Sequence, residues 1–176
     1  MAAANDMNDM NELAGMRAAL RAFVLLLLLP ALLVGCEEEA PAGPKTQKVT
    51  IKEKKYELEL ALTDSQRQQG LSDRKEIAED GGMLFVFANP SVVNFVMRKC
   101  LVPIDILFLS PNGHIVAMHE MKMEPYNTPD SKLKGYSSVY LAQFAIEVKA
   151  GSIKALDLKE GDAIDLPLEE LKKRAR

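Results

Sequence analysis

The sequence predicts one mainly-β domain of the α+β class: a compact antiparallel or barrel-like sheet with one or two short helices. About seven or eight short segments of strand character follow one another between residues 48 and 168. Apolar and polar residues alternate over residues 56–62, which is the period of a half-buried strand. Turn signals separate these segments at short intervals, as in antiparallel sheets. We therefore expect a single domain over residues 48–168.

The first half of this domain contains strands on both sides of a short helix. Residues 48–62 read as two strands joined by a polar connection. Thr63 and Gln66 have the spacing of a capping box, and Gly70 suits the position after the last helical turn. The apolar run at residues 83–87 predicts a buried strand, and residues 92–98 predict another.

The second half begins with residues 104–109, the most apolar strand of the chain. Asn112 and Gly113 form a hairpin signal that leads into a strand at residues 115–121, and a long polar loop follows over residues 122–138. The next strand places its apolar and polar side chains on opposite faces. The first face carries Phe144, Ile146 and Val148, and the second carries Gln143, Ala145, Glu147 and Lys149. The charged tail, residues 169–176, is expected to be disordered.

The N-terminal segment predicts export. Residues 22–35 are apolar and uncharged, which is too short for a membrane span of about 20 residues but suits the apolar region of a signal peptide. Arg17 and Arg21 supply the positive region that precedes it. Because residues 1–15 are acidic and fit a signal peptide poorly, Met16 is an alternative start of translation.

The apolar run ends in Leu33, Val34, Gly35 and Cys36, which resembles the lipobox of bacterial lipoproteins. In such a motif the Cys36 thiol accepts a diacylglycerol, and the small Gly35 lets the signal peptidase reach the preceding bond. The alternatives are an ordinary cleaved signal and an uncleaved signal anchor. The lipoprotein interpretation divides the chain into a signal peptide (1–35) and a lipidated N-terminus with a flexible tether (36–47).

Charge and location follow from this interpretation. The net charge of −3 gives no electrostatic reason to expect a nucleic-acid partner. The lipid anchor, rather than surface charge, would hold the protein to a membrane of the cell envelope, facing the periplasm or the exterior.

Several short motifs occur in a fixed order along the mature domain. They are Gly70 with Leu71, Arg74, GMLF at 82–85, Met97, Pro103, Asp105, Phe108, residues 113–115, Glu120, FAIEVKAG at 144–151 and EGD at 160–162. Together, over about residues 48–166, they resemble a bacterial and archaeal family called domain of unknown function 192. The resemblance implies a compact β-rich domain with short helices. It implies no reaction, because the activity of the family is unassigned.

The chain departs from the family pattern in one run. Val96, Lys99 and Cys100 stand where the family often has Trp, Asn and Thr, and the later polar loop lacks the cysteines common in other members. If the family uses that run as a ligand site, the site is altered or lost in this chain.

Asp105 is the most informative polar residue, because it shares a strand face with Leu107 and Leu109. A carboxylate in that position requires a partner or a place at the mouth of the strand. The candidate partners are the basic residues Arg67, Arg74, Arg98 and Lys99, or a backbone N–H group. The candidate polar site, for a ligand or for structure, comprises Asp105, Arg74, Met97, Lys99 and Glu120.

Two rival functions remain open beside a ligand- or partner-binding module. A copper-binding protein would use Met118, His119, Met121 and Met123, since thioether and imidazole ligands suit Cu(I). An enzyme, a hydrolase or a redox protein, would use Cys100 or Asp105, with His119 as a partner of the thiol. The common nucleotide, serine-hydrolase and zinc-protease motifs do not occur. We therefore predict a binding module with no cofactor and no metal, in which Cys100 is inert packing.

Overall fold

The backbone of residues 45–176 is described by a computed structural model. The predictions for the signal peptide, for Cys36 and for most of the tether lie outside the described residues. Within residues 45–176, no helix has both the length and the apolar character needed to cross a membrane.

Eight strands and three α-helices make up the described part of the chain. The strands are β1 (Thr46–Ile51), β2 (Lys54–Ala61), β3 (Gly81–Ser91), β4 (Asn94–Phe95), β5 (Ile104–Leu109), β6 (Ile115–Met121), β7 (Tyr136–Ser137) and β8 (Ala142–Lys149). The helices are α1 (Asp64–Gln69), α2 (Ser152–Ala155) and α3 (Leu168–Arg174), with a 3-10 turn at Asp130–Lys132. The mainly-β α+β class is confirmed.

Six strands form one sheet in the order β1-β2-β3-β8-β5-β6, and β4 pairs with β7 in a small separate ribbon. All neighbouring pairs of the large sheet are antiparallel except β2 and β3, which are parallel. The parallel pair arises because the segment between them, which contains α1, crosses over the sheet instead of turning back as a hairpin. The sheet is open, although the Thr50–Asp165 and His114–Ala163 bridges tie one segment to both of its ends.

The capping box and the helix-ending glycine that the sequence predicts are both found in the segment between β2 and β3. The Thr63 hydroxyl accepts from the N–H of Gln66, and the Gln66 side chain accepts from the N–H of Thr63, which completes the predicted capping box. Gly70 ends α1 with a positive φ of 48°. At the start of β3, a Cβ on Gly82 would lie 2.2 Å from the carbonyl oxygen of Glu147, so only glycine lets these strands approach so closely.

Both faces of the sheet are covered by apolar clusters, and this corrects one prediction. The first cluster includes Leu107, Leu109, Phe144, Ile146 and Val148. The second lies on the opposite face and includes Phe85, Met97, Cys100, Ile106 and Phe108. As a result all six residues of β5 are buried, and so are Gln143 and Glu147, whose face was expected to be the polar side of β8.

The expectation of a disordered C-terminal tail is wrong. Residues 168–174 form α3, and its Leu171 side chain is fully buried in the first cluster. The N–H of Arg176 donates to the carbonyl oxygen of Leu62 at 2.9 Å. Leu168 and Leu171 are spaced one helical turn apart, so this charged helix has an apolar side that packs on the domain.

Candidate functional site

A cleft of about 280 Å³ opens on the face of the sheet that carries the second cluster. We call it the Glu147 cleft, after the one residue of β8 that lines it. Its walls come from the end of α1 and the turn that follows, from β3, and from the segment around β4. The lining residues are Arg67, Gln68, Gln69, Gly70, Leu71, Ser72, Phe85, Phe87, Val93, Asn94, Phe95, Val96, Arg98, Cys100 and Glu147.

Glu147 carries the only carboxyl group among the residues that line this cleft. The residue is 5% exposed, and its register partners on the neighbouring strands are the apolar Met83 and Ile106. Within the described residues its side chain makes no hydrogen bond and no ion pair. Burial raises the pKa of the Glu147 carboxyl to about 8, so at neutral pH the group is mostly protonated.

Aromatic rings form the apolar wall of the cleft. The ring centroid of Phe95 lies 4.9 Å from that of Phe85 and 6.4 Å from that of Phe87, both in edge-to-face geometry. Phe108 supports Phe95 from the core, at 5.5 Å between centroids. Edge-to-face contacts of this kind fix ring orientation, so the wall is a preformed surface.

Cys100 lines the cleft as a neutral thiol. It is 9% exposed, and its Sγ donates to the carbonyl oxygen of Arg98 at 3.6 Å. Burial, with smaller contributions from the negative charges of Glu147 and Asp73, raises the pKa of the Cys100 thiol to about 12. The nucleophilic form is therefore scarce at neutral pH.

The alternative in which His119 serves as the partner of the Cys100 thiol is not found in the described residues. His119 lies outside the residues that line the cleft. Its Nε2 atom lies 2.8 Å from the carbonyl oxygen of Ser137, and its ring packs against Phe108 and Tyr136. Cys100 and His119 therefore lie in different surroundings: His119 belongs to β6, which β5 separates from β8 at the cleft.

The two arginines at the cleft are already engaged. Arg67 donates to the carbonyl oxygens of Leu62 and Val86 at 2.8 Å each, and its guanidinium lies 5.6 Å from the ring centroid of Phe87. Arg98 donates to the Asp130 carboxylate at 3.1 Å. Neither guanidinium forms an ion pair with Glu147.

Asp105 lies on the opposite face of the sheet and is 1% exposed. Its Oδ2 atom accepts from the N–H of Ile153 at 2.9 Å, whereas Oδ1 has no partner within residues 45–176. Burial is the main reason why the pKa of the Asp105 carboxyl is raised. Its cross-strand neighbour Glu120 pairs with Lys154 at 2.9 Å.

The basic partner proposed for Asp105 is therefore replaced by a backbone amide. The four basic residues considered from the sequence all lie in other contacts. Of these, Arg74 pairs with Glu59 at 2.7 Å, and Lys99 lies 5.8 Å from the ring centroid of Tyr126. Met97 is 1% exposed within the second cluster. Of the sequence-predicted polar set, only Asp105 and Glu120 come together.

The methionine stretch does not form a copper site. Met118 packs against the first cluster, Met121 is buried in the second, and Met123 is 54% exposed. Met118 and Met121 lie on opposite faces of the sheet and Met123 lies beyond the end of β6, so the three sulfur atoms do not converge on one ion. Residues 45–176 also contain no group of three or more His, Cys, Asp or Glu side chains placed to hold a metal.

Sequence reasoning missed Glu147 because the alternation in β8 placed it on the polar face. The missed signal lay in the neighbouring strands. The runs at 83–87 and 104–109 are almost entirely apolar and do not alternate, which is typical of strands that are buried on both faces. A carboxyl on the strand between them is therefore also buried.

Comparison with known proteins shows a family and a fold. The model of the family DUF192, described as "Uncharacterized ACR", matches residues 47–166. A Sinorhizobium meliloti 1021 protein described as a candidate transcription regulator is 30% identical, with a TM-score of 0.57, over 67% of this chain and 89% of its own. A Novosphingobium aromaticivorans DSM 12444 protein of unknown function is 23% identical, with a TM-score of 0.60, over 78% of this chain and all of its own. No curated protein matches the chain.

Proposed function

The chain belongs to the uncharacterized family DUF192, and from that premise we propose that it is a membrane-anchored lipoprotein of the cell envelope whose folded domain binds a small ligand in the Glu147 cleft. The observation that carries the binding role is the Glu147 carboxyl, which is buried, lines the cleft and has no partner in residues 45–176. Burying a polar group without a hydrogen bond is costly. Such a group in a cleft is typical of a site that a ligand completes.

The shape of the cleft supports a small organic ligand. Ligand pockets usually measure about 300–1,000 Å³ and combine apolar walls with a few polar groups. At about 280 Å³ the Glu147 cleft lies just below that range, which favours a small ligand. Phe85, Phe87 and Phe95 supply the apolar wall, and Asn94 supplies a polar group at the rim.

Two observations favour binding over a cysteine-based reaction. The pKa of the Cys100 thiol is raised to about 12, whereas nucleophilic cysteines have lowered pKa values. In addition, no histidine lines the cleft, so no neighbouring imidazole there can take the proton from the thiol.

A transcriptional role is not carried over from the Sinorhizobium meliloti protein. Proteins that bind DNA attract its phosphates with an excess of basic side chains. This chain has a net charge of −3.

The anchor is proposed from the sequence alone, because Leu33, Val34 and Gly35 precede Cys36 at the end of an apolar run. Labelled palmitate should be incorporated when the full chain is expressed in a bacterial host. The Cys36→Ser variant should lose the label, while Cys100→Ser keeps it as a matched control. Equal labelling of the parent and Cys36→Ser would contradict the lipoprotein assignment.

The binding role is tested with a set of small aromatic compounds that includes cationic, neutral and anionic members. Backbone amide NMR signals of the detergent-solubilised full chain should shift on addition of some members, and the shifts should cluster at Gly70, Leu71 and Asn94. Val96→Trp places a large ring in the cleft and should abolish these shifts. Val92→Trp is the matched control, because Val92 is 57% exposed and does not line the cleft. Binding that survives in Val96→Trp, or no shift with any compound, would refute the cleft as a ligand site.

A further inference from the structure

We propose that the ligand of the Glu147 cleft is a small organic ammonium ion with an apolar body. This inference rests on the proposed binding function and names the chemistry that the cleft would recognise. It follows from two features of the cleft wall: a single buried carboxyl without a partner and three phenylalanine rings beside it.

The charged groups around Glu147 leave it without a counter-ion. On the sheet, its neighbours Met83 and Ile106 are neutral. Across the cleft, Arg67 pairs with Asp64 and donates to backbone carbonyl oxygens, and Arg98 pairs with Asp130. Lys149, two residues further along β8, pairs with Glu79.

The remaining titratable neighbour is the Cys100 thiol, whose own pKa is raised partly by the charge of Glu147 and by that of Asp73. A thiol offers no positive charge. When the Glu147 carboxyl ionises, no described side chain therefore provides a positive partner, and a ligand can supply one.

An ammonium ion makes more favourable interactions with the residues of the cleft than a neutral or anionic ligand does. Its N–H groups donate to the carboxylate, and the low-dielectric surroundings strengthen the ion pair. Its charge is also attracted to the faces of aromatic rings such as Phe87 and Phe95. A neutral alcohol gains only one hydrogen bond with the carboxyl, and an anion is repelled once Glu147 ionises.

Binding of such a cation is coupled to proton release. The free carboxyl is mostly protonated at neutral pH, because its pKa lies at about 8. The ammonium ion pairs with the carboxylate form, so the Glu147 proton passes to the buffer as the ion pair forms. The ammonium itself keeps its protons, since alkylamines of the lysine type have a pKa of about 10.4.

The test compares 2-phenylethylammonium with the matched neutral compound 2-phenylethanol by titration calorimetry of the detergent-solubilised full chain. The affinity for the ammonium probe should rise about tenfold between about pH 6 and pH 7 and level off above about pH 8, following the ionised fraction of Glu147. Titrations in two buffers of different ionisation enthalpy should show nearly one proton released per bound probe at pH 6. The affinity for 2-phenylethanol should not rise with pH.

Two variants identify the group. Glu147→Gln should weaken binding of the ammonium probe at least tenfold at pH 8, abolish proton release and leave 2-phenylethanol binding within about twofold. Glu53→Gln is the matched control, because that residue is exposed and lies outside the cleft, and it should bind both probes like the parent. The amide NMR spectrum of each variant verifies its fold.

The contrary outcomes separate the two proposals. Equal or tighter binding of 2-phenylethanol, or ammonium binding that ignores pH and survives in Glu147→Gln, would overturn the ammonium inference and leave the cleft as a site for neutral ligands. Failure of both probes would also overturn the ammonium inference. Whether the cleft binds any ligand would then depend on the amide NMR shifts that the broader set of aromatic compounds causes.

Discussion

Asp105 and Glu147 are two buried carboxyl groups on adjacent strands, yet they face opposite sides of the sheet. Asp105 is paired in register with Val148, and Glu147 with Ile106. Asp105 accepts a hydrogen bond from the N–H of Ile153 within a sealed core. Glu147 has no partner in the described chain and lines a cleft.

The difference shows that burial by itself does not reveal what a carboxyl group is for. Burial is the main cause of the raised pKa at both residues. What distinguishes them is the partner: a backbone amide fixes Asp105 in place, while Glu147 adds a polar group to the cleft wall. We interpret the first as structural and the second as functional, and four predictions test that contrast.

The largest expected effect concerns the pH dependence of stability. Because the folded protein holds the Glu147 proton up to about pH 8 and the unfolded chain releases it near the ordinary glutamate pKa of 4.5, the parent should lose stability as pH rises through that window. The loss relative to Glu147→Gln should be about 1.4 kcal/mol per pH unit, on the order of 4 kcal/mol from about pH 5 to pH 8. Urea denaturation of both proteins at several pH values measures this difference.

Asp105 does not disturb that comparison, since its raised pKa acts in the same direction in both proteins. If the free energy of unfolding changes with pH by the same amount in the parent and in Glu147→Gln, the Glu147 pKa is not raised. The Glu147 cleft would then lose its main electrostatic feature.

The second prediction concerns Asp105→Ala. Removing the carboxyl leaves the Ile153 N–H without its acceptor in the core, and a hydrogen bond to a charged group contributes about 1.5–3 kcal/mol. The free energy of unfolding should fall by about 2–3 kcal/mol. Denaturation of Asp105→Ala in urea at pH 7 measures this loss of stability. A denaturation midpoint equal to that of the parent would show that Asp105 does not stabilise the fold.

The third prediction concerns Cys100, which shares the cleft with Glu147. A thiol pKa of about 12 instead of 9.0 lowers the thiolate fraction about a thousandfold, and the greater nucleophilicity of a more basic thiolate recovers about half of that on a logarithmic scale. A disulfide reagent at pH 8 should therefore react with the folded protein at least about thirtyfold more slowly than with the urea-unfolded chain. The Cys36→Ser background leaves Cys100 as the only thiol, because the chain has two cysteines. Equal rates would mean that the thiol is neither buried nor suppressed.

The smallest effect is expected for Asp105→Asn. The amide oxygen can still accept from Ile153, and the neutral side chain avoids the cost of a buried charge. The unfolding free energy at pH 7 should change by less than about 1 kcal/mol. A loss as large as that of Asp105→Ala would show that the negative charge, and hence an ion pair, holds Asp105.

The parts of the fold that depend on neighbours in sequence could be predicted. The capping box of Thr63 and Gln66 is decided within four residues, and the hairpin at Asn112 and Gly113 brings β5 and β6 together as expected. The pairing of β2 with β3 could not be predicted in the same way, because its direction depends on the path of the whole crossover between them.

The candidate site depended on contacts between distant segments. The cover over Glu147 comes from residues such as Leu71 and Phe95, more than fifty positions earlier. Period-2 alternation within β8 contains no information about that cover. Asp105 was correctly expected to need a partner, but the partner, Ile153, lies 48 residues later and offers a backbone group that no side-chain pattern reveals.

The position of β8 has a consequence for the order of folding. This strand is among the last to be synthesised, yet it lies in the middle of the sheet and joins the β1-β2-β3 half to the β5-β6 hairpin. Until residue 149 has emerged, each half lacks its central neighbour and leaves an apolar edge unpaired. Contacts between strands so distant in sequence also slow folding, because long loops must close first. In a chain that emerges from its N-terminus, the six-stranded sheet can therefore be completed only after residue 149 has appeared, and until then its unpaired strand edges can pair with other extended segments.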